Sequence, residues 1–171
     1  MNDVINLLDL DPIKIKLMDP TDGEGWSRAK AEGIDVEYRR FLKLNLEHRP
    51  DAPPIVPTKD VDTFWHYHIL DTMKYAEDCD AIFGRFLHHF PYFGLRGEED
   101  ARSLSKAVSA TKLAYRQTFG EGTPGAEAAD CQTGCGEVVC KAGTCSSIEV
   151  SQQAHARPRF ASPYVGSANH E

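Results

Sequence analysis

Four prolines in eight residues divide this chain. Pro50, Pro53, Pro54 and Pro57 fall within the stretch RPDAPPIVP. Each removes a backbone donor and pushes the residue before it out of the α region. The stretch is therefore a loop, and regular structure must be sought on either side of it. Upstream, Ser27 is placed to cap a helix that runs to about Glu47, with Ile34, Tyr38, Phe41, Leu42 and Leu46 at helical spacing. Gly33 weakens the start of that helix by ~1 kcal/mol relative to alanine. Earlier still, Ile13, Ile15 and Leu17 alternate with Lys14 and Lys16, which predicts a short half-buried strand or extended arm. MDPTDGEG after it reads as a loop.

Downstream, Thr58 or Asp60 can cap the segment TKDVDTFWHYHILDTMKYAEDC, and no Gly or Pro interrupts until Gly84. DAIFGRFLHHF follows and stops before Pro91. The pattern predicts two helices, 59–78 and 80–89, or one bent helix. PYFGLRG is a turn. Glu98, Glu99 and Asp100 open a last helix whose stripe is Ala101, Leu104, Val108, Thr111, Tyr115 and Phe119, closed by Gly120.

Past Gly120 the composition changes. Residues 121–171 carry six acids and three bases and are rich in Gly, Ala and Ser. Four of the five cysteines fall there, at Cys131, Cys135, Cys140 and Cys145. With 171 residues, the chain is expected to be one domain over 1–120 followed by a low-structure Cys-rich tail over 121–171. The fold class predicted for the domain is all-α: a small bundle of three to five helices with a short N-terminal extended arm.

Charge and composition narrow the function classes. The formal net charge is −7, which argues against broad phosphate neutralisation and so against nucleic acid as a partner. No run approaches the ~20 apolar residues that span a bilayer. The N-terminus MNDVINLLDLDP has no basic n-region, so a cytoplasmic, reducing location is expected. No G-x-G-x-x-G or P-loop pattern supports nucleotide binding. No Ser-His-Asp or Cys-His-Asn signature is legible, and catalytic residues stay unassigned.

The residues able to carry chemistry concentrate between Asp62 and His89. On a strand, His66 and His68 would share a face; on a helix, residues two apart sit about 200° apart. The helical reading therefore sends them different ways. His68 joins Val61, Phe64, Trp65, Thr72 and Tyr75, whereas His66 joins Asp62, Ile69, Leu70 and Met73. Asp62 and His66 are four apart and can meet, which suits an Asp-oriented imidazole as metal ligand or general base. One candidate metal set is Asp62 and His66 with either His68 or His88; imidazole and carboxylate suit zinc or non-haem iron. The competing structural reading has these histidines in or near the core, bonded to Asp62, Asp71 or backbone. His88 and His89 at a helix end would also suit the helix dipole. Cys79 beside Asp78 is no activated thiol, and most aromatics are assigned to the core.

The tail spacing, Cys131-x3-Cys135-x4-Cys140-x4-Cys145, is not that of a zinc ribbon. Four thiolates within fifteen residues can still wrap a soft ion, and Gly134, Gly136 and Gly143 allow the necessary turns. Redox-sensitive disulfides and a modifiable extension are the other readings. In the last, residues 1–120 would be leader-like.

The run Asp62-Thr-Phe-Trp65-His66-Tyr-His68-Ile-Leu70, with Tyr75, Asp78-Cys79 and Gly84, resembles the glycine-rich domain-containing protein-like family. That family includes short bacterial proteins and the N-terminal part of plant glycine-rich domain proteins. The likeness covers about residues 10–120 and leaves the Cys-rich tail outside. It implies a family with no established biochemical activity. Plant members are associated with stress responses and carry RNA-binding-like and glycine-rich regions that are not legible here, so that association is not carried over. The sequence thus predicts a helical module that binds a metal ion, zinc or iron, through its Asp/His cluster and its Cys-rich tail. The alternatives are a non-catalytic module for a protein partner, whose His and Trp build the core, and the leader-like domain.

Overall fold

A computed structural model describes residues 4–120. Within them the chain forms a 3-10 turn, Val4–Leu7, and five helices: α1 Asp11–Met18, α2 Arg28–Leu46, α3 Lys59–Leu70, α4 Thr72–Phe83 and α5 Glu98–Phe119. No strand occurs among the described residues. The all-α prediction holds. Cys131, Cys135, Cys140 and Cys145, with the proposed tail, lie outside the described residues.

The alternation at Ile13, Ile15 and Leu17 proves to be helical, which corrects the expected extended arm. Pro12 sits in the first turn of α1, where its missing N–H costs nothing. Leu10, Ile13 and Leu17 are buried at the i, i+3, i+7 spacing of one helical face, while Ile15 is 65% exposed on the other. The residue preceding the alternation, Leu10, carries the signal that distinguishes the two periods.

Ser27 and Thr58 cap α2 and α3 as expected: Ser27 Oγ accepts from Lys30 N and Thr58 Oγ1 from Val61 N. Lys30 pairs with Asp60, and Tyr38 bonds His68. Both contacts join residues thirty positions apart, so α2 and α3 advance in the same general direction. The chain between them must return along α2. The proline-rich loop suits this, because an extended chain covers ~3.3 Å per residue against 1.5 Å in a helix. The loop is itself anchored, with Ile55 buried and Val56 N donating to Thr111 Oγ1 of α5 at 3.0 Å.

The break in the next segment falls earlier than expected. Asp71 (φ −80°, ψ 74°) ends α3 and caps α4, its carboxylate accepting from Lys74 N. A short acidic side chain that bonds the backbone ahead of it competes with helix continuation. Helix α4 stops at Gly84, which takes the left-handed conformation at φ 63°. Residues 85–89, expected to be helical, instead double back over α3. Leu87 is fully buried, and its carbonyl accepts from the Tyr75 hydroxyl.

Helix α5 matches its predicted bounds. It buries Leu104, Ala107 and Thr111, and its Tyr115 hydroxyl donates to Glu37 O of α2 at 3.2 Å. The core joins α1, α2, α3 and α4 around Tyr38, Phe41, Phe64, Trp65 and Tyr75, each 1% exposed or less.

Two glycines give opposite expectations. A Cβ at Gly23 would lie 1.9 Å from the carbonyl oxygen of Lys16, so Gly23→Ala must open the turn after α1. At Gly33, inside α2, nothing lies within 4 Å of an added Cβ. Urea unfolding should show Gly23→Ala destabilised by about 1–3 kcal/mol and Gly33→Ala stabilised by up to ~1 kcal/mol.

Candidate metal centre

Helix α3 carries two histidines on opposite sides, and they enter two separate clusters. His68 faces inward and is 1% exposed. Its Nδ1 lies 2.8 Å from the Tyr38 hydroxyl of α2, and its Nε2 lies 3.0 Å from Asp78 Oδ2 of α4. Lys74 Nζ reaches the same carboxylate at 2.9 Å. A neutral imidazole satisfies this arrangement: Nε2–H donates to Asp78 while Nδ1 accepts from Tyr38. Burial pushes the His68 pKa down despite the Asp78 carboxylate, so the neutral form is the one the core holds. Both ring nitrogens are engaged, and His68 is not available to the ligand set proposed for it from sequence.

His66 faces the other way and meets Asp62 and His89. His89 Nε2 lies 3.1 Å from Asp62 Oδ1, His66 Nε2 lies 3.0 Å from His89 Nε2, and His66 Nε2 lies 3.5 Å from Asp62 Oδ2. Donor atoms of all three residues fit within 4.8 Å of one another. The side chains of Asp62 and His89 are 8% and 10% exposed, whereas that of His66 is 48% exposed. The cluster is therefore closed from within and open on one side.

The core fixes His89. Its ring meets the Trp65 indole edge-on, with centroids 4.7 Å apart. The indole Nε1–H donates to the Tyr75 hydroxyl at 2.9 Å, and that hydroxyl donates to Leu87 O, two residues before His89. Gly84 reverses the chain, Leu87 anchors it, and His89 arrives over α3. Partial burial lowers the His66 pKa, Asp62 raises it and His89 lowers it again. The neutral imidazole that a metal requires is thus favoured at His66.

Sequence reasoning placed Asp62 and His66 together and named His68 or His88 as the third member. The structure brings His89 there instead. His88 points away, exposed, with its ring against Phe86 at 4.9 Å. Reading residues 80–89 as a helix concealed this, because it placed the two histidines on a rigid rod. Gly84, read as a helix stop, is the signal that would have exposed the reversal. Cys79 is buried with a raised pKa and contacts Tyr75 and Leu87 rather than the Asp62 cluster. The four tail cysteines lie outside the described residues.

The shape of the cluster suits a first-row metal ion. Metal–nitrogen bonds near 2.05 Å give donor–donor edges of roughly 3.3 Å in a tetrahedron and roughly 2.9 Å in an octahedron. The edge between the two imidazoles is 3.0 Å, and the two Asp62 oxygens lie 3.1 Å from His89 and 3.5 Å from His66, all within a few tenths of an ångström of the tetrahedral value. Without a cation, three electron-rich atoms would share very few protons, since each neutral imidazole has a single N–H.

Comparison with known proteins follows the same segment. The family model described as UCP032817-like matches residues 14–114, which include Asp62, His66 and His89. Glycine-rich domain-containing protein 1 of Arabidopsis thaliana is 35% identical over 88 residues, covering 50% of this chain and 10% of that protein. Glycine-rich domain-containing protein 2 of the same plant is 30% identical over 87 residues, covering 50% and 11%. The chain thus spans about a tenth of the length of these curated relatives. No solved structure gives a significant match. No helix among the described residues is long and apolar enough to cross a membrane.

The two histidines of α3 should separate in stability measurements. His68→Leu removes the buried bonds to Tyr38 and Asp78 and should cost about 1–3 kcal/mol. His66→Leu, half-exposed, should cost less than about 1 kcal/mol. The pH dependence has a definite sign. The His68 pKa is lower in the folded chain than the ~6.5 of an unfolded histidine. Between those values the unfolded chain binds more protons, so stability is complete above pH ~6.5 and falls as pH drops towards the folded value. His48 and His66 shift in the same direction and add to the effect. Urea midpoints between pH 8 and pH 5 should decline, and decline less steeply in His68→Leu.

Proposed function

The chain belongs to the UCP032817-like family, and on that premise we propose that it is a metal-binding helical module whose site is Asp62, His66 and His89. The observation that carries this reading is the convergence of two imidazole nitrogens and a carboxylate within 4.8 Å on a rigid base. Zinc and ferrous iron are the ions that this donor set suits, because imidazole and carboxylate are borderline-to-hard ligands. Trp65 beneath His89 and the i, i+4 pairing of Asp62 with His66 hold the donors in place without the ion. The four tail cysteines are proposed as a second, chemically separate site for a soft ion.

A second reading has its own support. The His89–Asp62 bond, nearly buried at 3.1 Å, is by itself a clip that fastens residues 85–89 to α3. In that reading the cluster builds the fold of a module for an unidentified protein partner and holds no ion.

Elemental analysis of the full chain, purified reduced and without chelator, separates the two. The metal reading expects near-stoichiometric zinc or iron. His66→Ala and His89→Ala should each lower it at least tenfold, since removing even an outer partner of a metal site costs about 10–100-fold in affinity. Replacing the four tail cysteines by serine should leave that equivalent in place. A full chain free of metal leaves the hydrogen-bonded clip as the account of the cluster.

A further inference from the structure

We infer that the Asp62–His66–His89 centre keeps a coordination position open to solvent and takes there a small monoanionic ligand, such as a carboxylate or azide, from solution. The inference rests on the metal reading above and adds what the site is for: capture of an exogenous donor rather than structural support.

Three observations carry it. The first is donor count. Structural zinc sites are closed by four protein ligands, whereas sites with three keep a position for water or substrate. The described residues supply three converging donors. The second is the burial gradient. Asp62 and His89 are about nine-tenths buried, but His66 is half-exposed, so the unfilled side of the cluster is the side that faces water. Leu70, one helical turn beyond His66, is 75% exposed and does not cover it. The third is charge. A divalent ion held by one carboxylate and two neutral imidazoles retains a single positive charge. An anionic donor at the open position neutralises it, and among the described residues no second carboxylate joins the cluster to compete.

The fold makes a closed structural site unnecessary here. The Trp65–Tyr75–Leu87 chain already fixes His89, so an ion is not needed to hold the donors together. A preformed three-donor face binds its ion without reorganising and leaves the remaining positions free.

Cobalt(II) is a suitable probe because its visible bands report coordination number and ligand type. The full chain is loaded with cobalt(II) and titrated with azide, and separately with acetate. The expected result is a saturable shift of the visible bands with each anion, lost in His66→Ala and in His89→Ala, both checked for native helicity by circular dichroism. Cobalt bands that ignore both anions overturn the inference and leave the metal reading standing. So does a sulfur-to-cobalt charge-transfer band that is lost in His66→Ala and His89→Ala as well as when Cys131, Cys135, Cys140 and Cys145 are replaced by serine, since the open position of this centre would then be closed by the chain's own thiolate. No cobalt spectrum at all overturns the metal reading itself, and this inference with it.

Discussion

A fully buried indole must direct its N–H to an acceptor, and the one that Trp65 finds organises the site. Its Nε1–H donates to the Tyr75 hydroxyl, and that hydroxyl donates to the carbonyl of Leu87. The chain of two bonds joins α3, α4 and the reversed segment behind Gly84. Each group in it is buried, so removing one leaves a polar partner stranded at a cost of about 1–3 kcal/mol. That cost protects the geometry. Leu87 cannot lift away without exposing its own side chain and breaking the bond from the Tyr75 hydroxyl. His89, two residues on, is therefore held edge-on against the indole. The polar surface cluster is positioned by an interaction of the core.

Helix α3 then acts as a divider. Residues two apart on a helix point to opposite sides, so His66 and His68 cannot serve one centre. His68 belongs to the inner network of Tyr38, Asp78 and Lys74, where a single neutral tautomer satisfies both neighbours. His66 belongs to the outer cluster. Desolvation lowers both pKa values, with different consequences. Inside, the neutral ring is a hydrogen-bond bridge between helices. Outside, the same neutrality leaves a nitrogen lone pair beside a second imidazole and a carboxylate.

The legible parts of the fold were those where local chemistry and periodicity agree. Ser27 and Thr58 announce α2 and α3, and the 98–119 stripe with Gly120 announces α5. The opposite orientation of His66 and His68 followed from helical geometry alone. The failures came from short segments in which two periods compete. Ile13, Ile15 and Leu17 satisfy a strand pattern, and only Leu10 and Pro12 tip them to a helix. Asp71 reads as a mid-helix residue because its local capping of Lys74 N competes with a helical pattern that runs unbroken on either side of it. His89 was missed for a different reason. Its role depends on a chain reversal, which Gly84 signals, and on an anchor at Leu87, which only the packed core reveals. Tyr38 as the partner of His68, thirty positions away, required the return path of the proline-rich loop to be known.

The order in which the site is assembled bears on how tightly it would hold an ion. In domains whose metal supplies the folding free energy, apo protein is unfolded and affinity is diminished by the cost of ordering the chain. Here α3 and the 85–89 segment are joined by buried apolar contacts and by the Trp65–Tyr75–Leu87 bonds before any ion enters. Asp62 and His89 already meet at 3.1 Å. An ion must displace the proton between them, which makes binding weaken as pH falls, but it need not order a loop. Binding to the folded chain alone would stabilise it by RT ln(1 + [M]/Kd), about 2.7 kcal/mol at a hundredfold excess over Kd. That increment would fall mainly on the junction between α3 and the reversed segment, the one place the ligands bridge. Occupancy of the centre and protection of residues 85–89 from opening are thus one thermodynamic quantity seen from two sides.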